Sequence, residues 1–295
     1  MSAPPVLADA ETSGGKLAVR VVGEGPAVGW IHGYTMSSRV FDSIWPLMPG
    51  FRHVGIDLPG HGDSSSWSPG AKLSEIARDV AKVLEREDVR HLVAVSMGTM
   101  VAFEMVIRKM HVLDKLVVVA PGLVGMPPGS GTAELYRMLT MMRRMGLSPD
   151  QVGRTWLAAP TGIFAGLREH PAELAAMATV VAGHGWDELD SGGPAAFYRE
   201  PQSAGDLPGS AAELLLVTGG NDMPEFQDLA AHLVSTLPMA AVAHFPNAGH
   251  LPLFEQPAAT VIAITQFLAE PSASTLTPTI GRSGPTRIAA GCVCT

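Results

Sequence analysis

Cysteine is almost missing from this chain. Its 295 residues hold two, Cys292 and Cys294, close together at the C-terminal end, where they cannot staple a core. They offer a pair of thiols with no other metal ligands nearby in sequence, a poor metal site. A reduced, cytoplasmic protein is the simplest expectation. Charge is also sparse. Charged residues make up 16% against 46% hydrophobic, which argues against a disordered chain and provides for a large buried core. The sign of the charge is wrong for nucleic acid: the formal net charge is -8, and no basic stripe with interleaved aromatics occurs. Met1 to Gly15 contains no Lys or Arg and no continuous apolar stretch, so it does not read as a secretory signal. No apolar run reaches the length of a membrane span; the most apolar, Leu116 to Val124, is interrupted by Pro121 and Gly122.

What remains is a regular alternation. Leu17 to Val22 reads as an edge strand, and Ala27 to Ile31 as a second strand ending at His32-Gly33-Tyr34. Phe51 to Ile56 is a third, running into the turn-rich Asp57-Leu58-Pro59-Gly60-His61-Gly62-Asp63-Ser64. Leu73 to Leu84 has helical spacing, with Ile76, Val80 and Val83 on one face. The strand Leu92 to Val95 then meets a helical run, Met97 to Lys109, with Ser96 between them. A further strand, Lys115 to Ala120, stops at Pro121-Gly122. Strands alternating with helices imply an α/β fold: a mostly parallel central sheet flanked by helices.

The alternation stops between about Val124 and Leu207, where helical patterns appear without a strand. Leu135, Met138, Leu139 and Met142 share one helical face, and Leu174, Met177, Ala178 and Val181 another. It resumes with a strand at Glu213 to Val217, a helix from Pro224 to Leu237, a strand at Ala240 to Phe245, and a helix from Pro257 to Leu268. The expected organisation is a core over residues 1–123 and 208–270, a helical lid at 124–207, and a flexible tail at 271–295 rich in Ser, Thr, Pro and Gly.

Ser96 is the residue around which this pattern turns. A strand that passes straight into a helix must reverse tightly, and small residues are needed two positions either side, here Ala94 and Gly98. The stretch resembles the nucleophile elbow of the α/β-hydrolase superfamily, with alanine in place of the first glycine. His32-Gly33, the Asp57 to Ser64 loop, Gly219-x-x-Asp222 and Gly249-His250-x-Pro252-x-x-Glu255-x-Pro257 extend the resemblance, in order, from Leu17 to Leu268 outside the lid. It points to the capped, serine-nucleophile branch.

That resemblance implies Ser96, Asp222 and His250 as a catalytic triad, in the chain order expected of the superfamily. It implies backbone N–H groups of Tyr34 and Met97 as oxyanion donors. Nothing in this chemistry requires a metal or an organic cofactor. The rival position for the acid, Pro121-Gly122-Leu123-Val124, contains no carboxylate. Asp222 could also cap the helix near Pro224, while His32 and His61 are expected to fix loops by hydrogen bonding. The lid methionines, Met138, Met142 and Met177 among them, are candidates to line an apolar pocket, their alternative being ordinary packing. The implied activity is hydrolysis of an ester, lactone or thioester in a small apolar substrate. The alternatives are transfer of the acyl group to a larger, non-water acceptor, and a ligand receptor on the same fold. No nucleic-acid or membrane partner is expected, and the oligomeric state is left open.

Overall fold

The structure, a computed structural model, describes residues 6–12, 14–68, 70–126, 129–160, 162–190, 200–209 and 212–271. Beyond Pro271 the expected tail, with Cys292 and Cys294, lies outside the described residues. Eight strands form one sheet in the order β1-β2-β4-β3-β5-β6-β7-β8. They are β1 (Val6–Thr12), β2 (Gly15–Val22), β3 (Ala27–Ile31), β4 (Arg52–Ile56), β5 (His91–Val95), β6 (Lys115–Val119), β7 (Glu213–Gly219) and β8 (Ala241–Phe245). From β4 to β8 every pairing is parallel; β2 runs antiparallel to both β1 and β4.

The central strands are continuous apolar runs because both faces of the sheet are covered. In β6, for example, all five residues are buried. Lys115 opens that strand with a buried ammonium, which donates to the carbonyls of Phe267 and Glu270, both at 2.5 Å. It thereby caps the last helix. The expected edge strand is corrected: β2 is second from the edge, and β1 pairs outside it from Val6↔Val21 to Thr12↔Gly15.

The helices are α1 (Leu73–Arg86), α2 (Met97–Ile107), α3 (Ser130–Arg144), α4 (Pro149–Ala158), α5 (Pro171–Val181), α6 (Asp187–Asp190), α7 (Pro224–Thr236), α8 (Pro252–Glu255) and α9 (Pro257–Ala269). Four of them, α3 to α6, fall between β6 and β7. No helix among the described residues is long and apolar enough to cross a membrane.

Strand order decides where a ligand can sit. From β3 the chain moves one way to β4, then crosses to β5 on the other side. Loops leaving β3 and β5 therefore diverge, opening a crevice at the carboxyl edge of the sheet. Tyr34 follows β3 and Ser96 follows β5, so both border that crevice.

Candidate active site

Ser96 joins β5 to α2 with φ 50° and ψ -117°, a positive φ that a non-glycine residue adopts only under strain. Close packing makes the strain unavoidable. A Cβ on Gly98 would stand 2.7 Å from the His32 carbonyl oxygen and 2.8 Å from that of Ile31, so only glycine lets α2 approach β3 this closely. Ala94, in contrast, is accommodated within the core. Thr99 ties the turn down: its hydroxyl donates to the Ser96 carbonyl at 2.6 Å and accepts the Gly122 N–H at 2.8 Å.

Asp222 and His250 arrive on two loops zipped together beyond β7 and β8. The Asn221 N–H donates to the Ala248 carbonyl at 2.9 Å, and a Cβ on Gly219 would stand 1.9 Å from the Gly249 carbonyl oxygen. The Asp222 carboxylate accepts the His250 Nδ1–H at 2.8 Å. With that proton on Nδ1, Nε2 keeps its lone pair and accepts the Ser96 hydroxyl at 2.9 Å. Ser96, Asp222 and His250 are all buried. Asp222 does not cap α7, whose preceding residue is Met223; its carboxylate takes the Met223 N–H at 2.7 Å and the imidazole.

His250 is held from behind. Glu255, a buried carboxylate on α8, accepts the Gly249 N–H at 2.5 Å and the Leu251 N–H at 2.9 Å, the two amides flanking the histidine. Phe226 packs edge-on against the imidazole, with ring centroids 4.3 Å apart.

Across the crevice, a Cβ on Gly33 would lie 3.3 Å from the Ser96 Cβ, so the His32-Gly33-Tyr34 turn runs against the elbow. Met97 is the first residue of α2, so its N–H has no helical carbonyl to serve and adds to the positive end of the helix dipole. His32 is a loop fastener, its Nε2 accepting the Leu58 N–H at 3.0 Å and its Nδ1–H donating to the Gly33 carbonyl at 2.8 Å. His61 donates from Nδ1 to the Pro59 carbonyl at 2.9 Å. Burial, then the neighbouring His184 and His32, push the His61 imidazole well below its ordinary pKa.

The remaining expected residues separate. Met177 is buried in the hydrophobic core, and Met142 is half-buried against it. Met138 is 43% exposed and shares a solvent-facing stripe with Met141 on α3 and Met145 just past its end. Helix α3 turns Leu139 inward instead. The insertion meets the Tyr34 loop with aromatic rings. Tyr136, Trp156 and Trp186 surround the Tyr34 ring at centroid distances of 5.7, 5.8 and 6.1 Å. An open groove of about 900 Å³, lined by Leu123, Met126, Met223, Glu225 and Leu229 among others, includes none of Ser96, Asp222 and His250. Among the described residues, no group of three or more His, Cys, Asp or Glu side chains is placed to hold a metal.

Sequence reasoning passed over Tyr136, Trp156, Trp186, His184 and Glu188. A weak signal existed: His184 and Glu188 stand four residues apart, as side chains that meet on one helical turn do.

A mostly parallel sheet whose carboxyl edge carries a strained serine turn, an acid loop and a histidine loop defines an α/β-hydrolase fold. The sequence model of the alpha/beta hydrolase family matches residues 30–264, and the chain belongs to that family. It is therefore an enzyme of the α/β-hydrolase type. An uncharacterized protein of Mycobacterium tuberculosis is 25% identical, covering 90% of this chain and 82% of its own. The sn-1-specific diacylglycerol lipase of Mus musculus is 26% identical, covering 83% of this chain and 81% of its own. The structure of the esterase RhEst1 from Rhodococcus superposes with a TM-score of 0.74 at 19% identity, over 90% of this chain and 99% of that one, a likeness of fold.

Proposed function

We propose that this chain hydrolyses an ester-type bond in a small apolar molecule through an acyl intermediate on Ser96. The observation that carries the proposal is the hydrogen-bonded sequence Asp222, His250, Ser96, at 2.8 and 2.9 Å, on a strained turn. Serine alone is a weak nucleophile, and a base within hydrogen-bond reach removes that weakness. The Ser96 Oγ attacks the carbonyl carbon as its proton passes to His250 Nε2. Asp222 fixes the tautomer and stabilises the imidazolium. The Tyr34 and Met97 N–H groups receive the negative charge on the carbonyl oxygen. Collapse expels the alcohol, which takes the proton from Nε2. Water then attacks the acyl-serine, giving its proton to His250, and the acid departs as the proton returns to Ser96.

Residues 124–207 act as the cap. Its aromatic side chains near Tyr34 favour an aliphatic or aromatic acyl group over a charged one. The name of the mouse relative, a lipase acting on diacylglycerol, agrees with an ester of apolar character. The test is a kcat/KM series over acyl esters of increasing length, with a carboxylate-bearing acyl ester as control and product analysis with added alcohol acceptors. Each extra methylene is expected to contribute at most about 1 kcal/mol, so the preference among neighbouring homologues is shallow. Preference for the charged ester would overturn the substrate class. A transfer product that outruns free acid would replace hydrolysis with acyl transfer.

A further inference from the structure

The loop after β3 carries strain of its own. Thr35, a β-branched residue, has φ 63°, in the left-handed region. Such a residue persists where its surroundings over-determine it. The buried Thr35 hydroxyl donates to the Tyr34 carbonyl at 2.7 Å and accepts the Trp156 Nε1–H from α4 at 2.9 Å. One residue earlier, the Tyr34 hydroxyl donates a short hydrogen bond to Glu188 on α6. Glu188 also accepts the His184 Nε2–H at 3.0 Å. Burial pushes the Glu188 carboxyl up, but the bond and charge of His184 and the Tyr34 hydroxyl outweigh it and hold the group below its ordinary pKa. It is therefore an ionised acceptor.

Two successive residues of one loop are thus each fastened, by a directional hydrogen bond, to a different helix of the insertion. The bond from Thr35 to the Tyr34 carbonyl fixes the peptide plane that follows Tyr34. The bond from the phenol fixes the side chain. The plane that carries the Tyr34 N–H is the one before it, and its Gly33 carbonyl accepts the His32 Nδ1–H at 2.8 Å and the Met36 N–H at 3.2 Å. Core and insertion thus each hold one of the two peptide planes that meet at Tyr34.

We infer that Trp156 and Glu188 are positioning residues: through Thr35 and the Tyr34 phenol they hold the Tyr34 side chain and the plane that follows it, and so keep the Tyr34 N–H, whose own plane is tied at the Gly33 carbonyl, aimed where the oxyanion needs it. This rests on the reading of Ser96 as nucleophile. The cap therefore completes the catalytic machinery of the core as well as covering it. Covering alone would require apolar contact; aiming an amide requires bonds with direction, and Trp156 and Glu188 supply them.

The experiment compares an ester with its thionoester analogue, in which sulfur replaces the carbonyl oxygen. Sulfur accepts hydrogen bonds poorly, so a well-aimed oxyanion donor raises the oxo/thiono rate ratio. Trp156→Phe keeps an aromatic ring but loses the N–H together with part of the indole; Thr35→Val removes the same bond from the other side and leaves Trp156 whole. Each is expected to lower kcat for the oxoester about tenfold, with KM changed less than about twofold, and to lower the oxo/thiono ratio by a similar factor. Because both remove one bond, the double variant should lose little more than either alone. Glu188→Ala should act in the same way, and Glu188→Gln, which still accepts the phenol, should retain most of the activity. An equal loss on both esters, or no loss, overturns the inference. Oxoester turnover surviving in Ser96→Ala would instead overturn the reading of the nucleophile on which it rests.

Discussion

Replacing Glu255 by glutamine is a sharp perturbation of the histidine loop. The two carboxylate oxygens accept the amides on either side of His250, at 2.5 and 2.9 Å, inside the protein. Glutamine keeps the shape and one acceptor, but turns an N–H₂ donor toward the other amide. One charge-assisted bond is lost, worth about 1.5–3 kcal/mol, and a buried N–H is left opposed to a donor. Relief by movement is limited on the side of Gly166, where a Cβ would stand 2.2 Å from Glu255 Oε2. The expected destabilisation is about 2 kcal/mol, a fall in Tm of roughly 4–8 °C for a domain of this class. The strain also falls on His250, whose Nε2 must stay at hydrogen-bond distance from Ser96. A shift of the order of 1 Å costs about a hundredfold, so kcat should drop about ten- to hundredfold with KM nearly unchanged. The assays are urea unfolding and steady-state kinetics on the same preparation. If Glu255→Gln unfolds within about 0.5 kcal/mol of the parent and keeps kcat within about twofold, the clamp reasoning is wrong.

Three other outcomes follow from particular contacts. Asp222→Asn should lower kcat by about 10⁴, because an amide favours the wrong imidazole tautomer; a loss below about tenfold would make Asp222 an ordinary loop residue. Lys115→Met removes the donor to the Phe267 and Glu270 carbonyls and should cost about 2 kcal/mol, with faster hydrogen exchange at the end of α9; unchanged exchange there would refute the capping role. His53, pushed down to about 4 by burial, accepts the Trp30 indole N–H at 3.1 Å and so must be neutral in the fold. Its folded pKa lies below the unfolded value, so the stability it protects is complete above about pH 6.5 and falls as pH drops toward 4. About 2 kcal/mol should be gone near pH 5, and His53→Gln should flatten that slope.

The parts of the fold written in local pattern were legible. The buried strands β5 and β6, with their unbroken apolar runs, and the helical faces of α1 and α9 stand close to their sequence boundaries. The first strand was not, because the residues of Val6–Thr12 that pack on the core are the small, half-buried Ala8 and Ala10, while the larger apolar Leu7 is 64% exposed, so its alternation shows little apolar contrast. Met138 shares helical spacing with Leu139, and spacing does not say which edge of a stripe meets the core: Leu139 is buried and Met138 is not. The elbow, the acid loop and the histidine loop were visible because turn geometry restricts their residues. The contacts between Trp156 and Thr35 and between Glu188 and Tyr34 span 121 and 154 positions and leave no mark in local sequence. Glu255 was legible as a letter in a motif, but its grip on the amides of Gly249 and Leu251 depends on the fold of the turn.

The most direct test of the central claim is the site of covalent capture. The protein treated with a serine-directed alkyl phosphonate should gain one adduct by intact mass, and peptide mapping should place it on Ser96. Ser96→Ala should stay unlabelled and inactive while unfolding like the parent. An adduct on another residue, or full turnover by the alanine variant, would contradict the account.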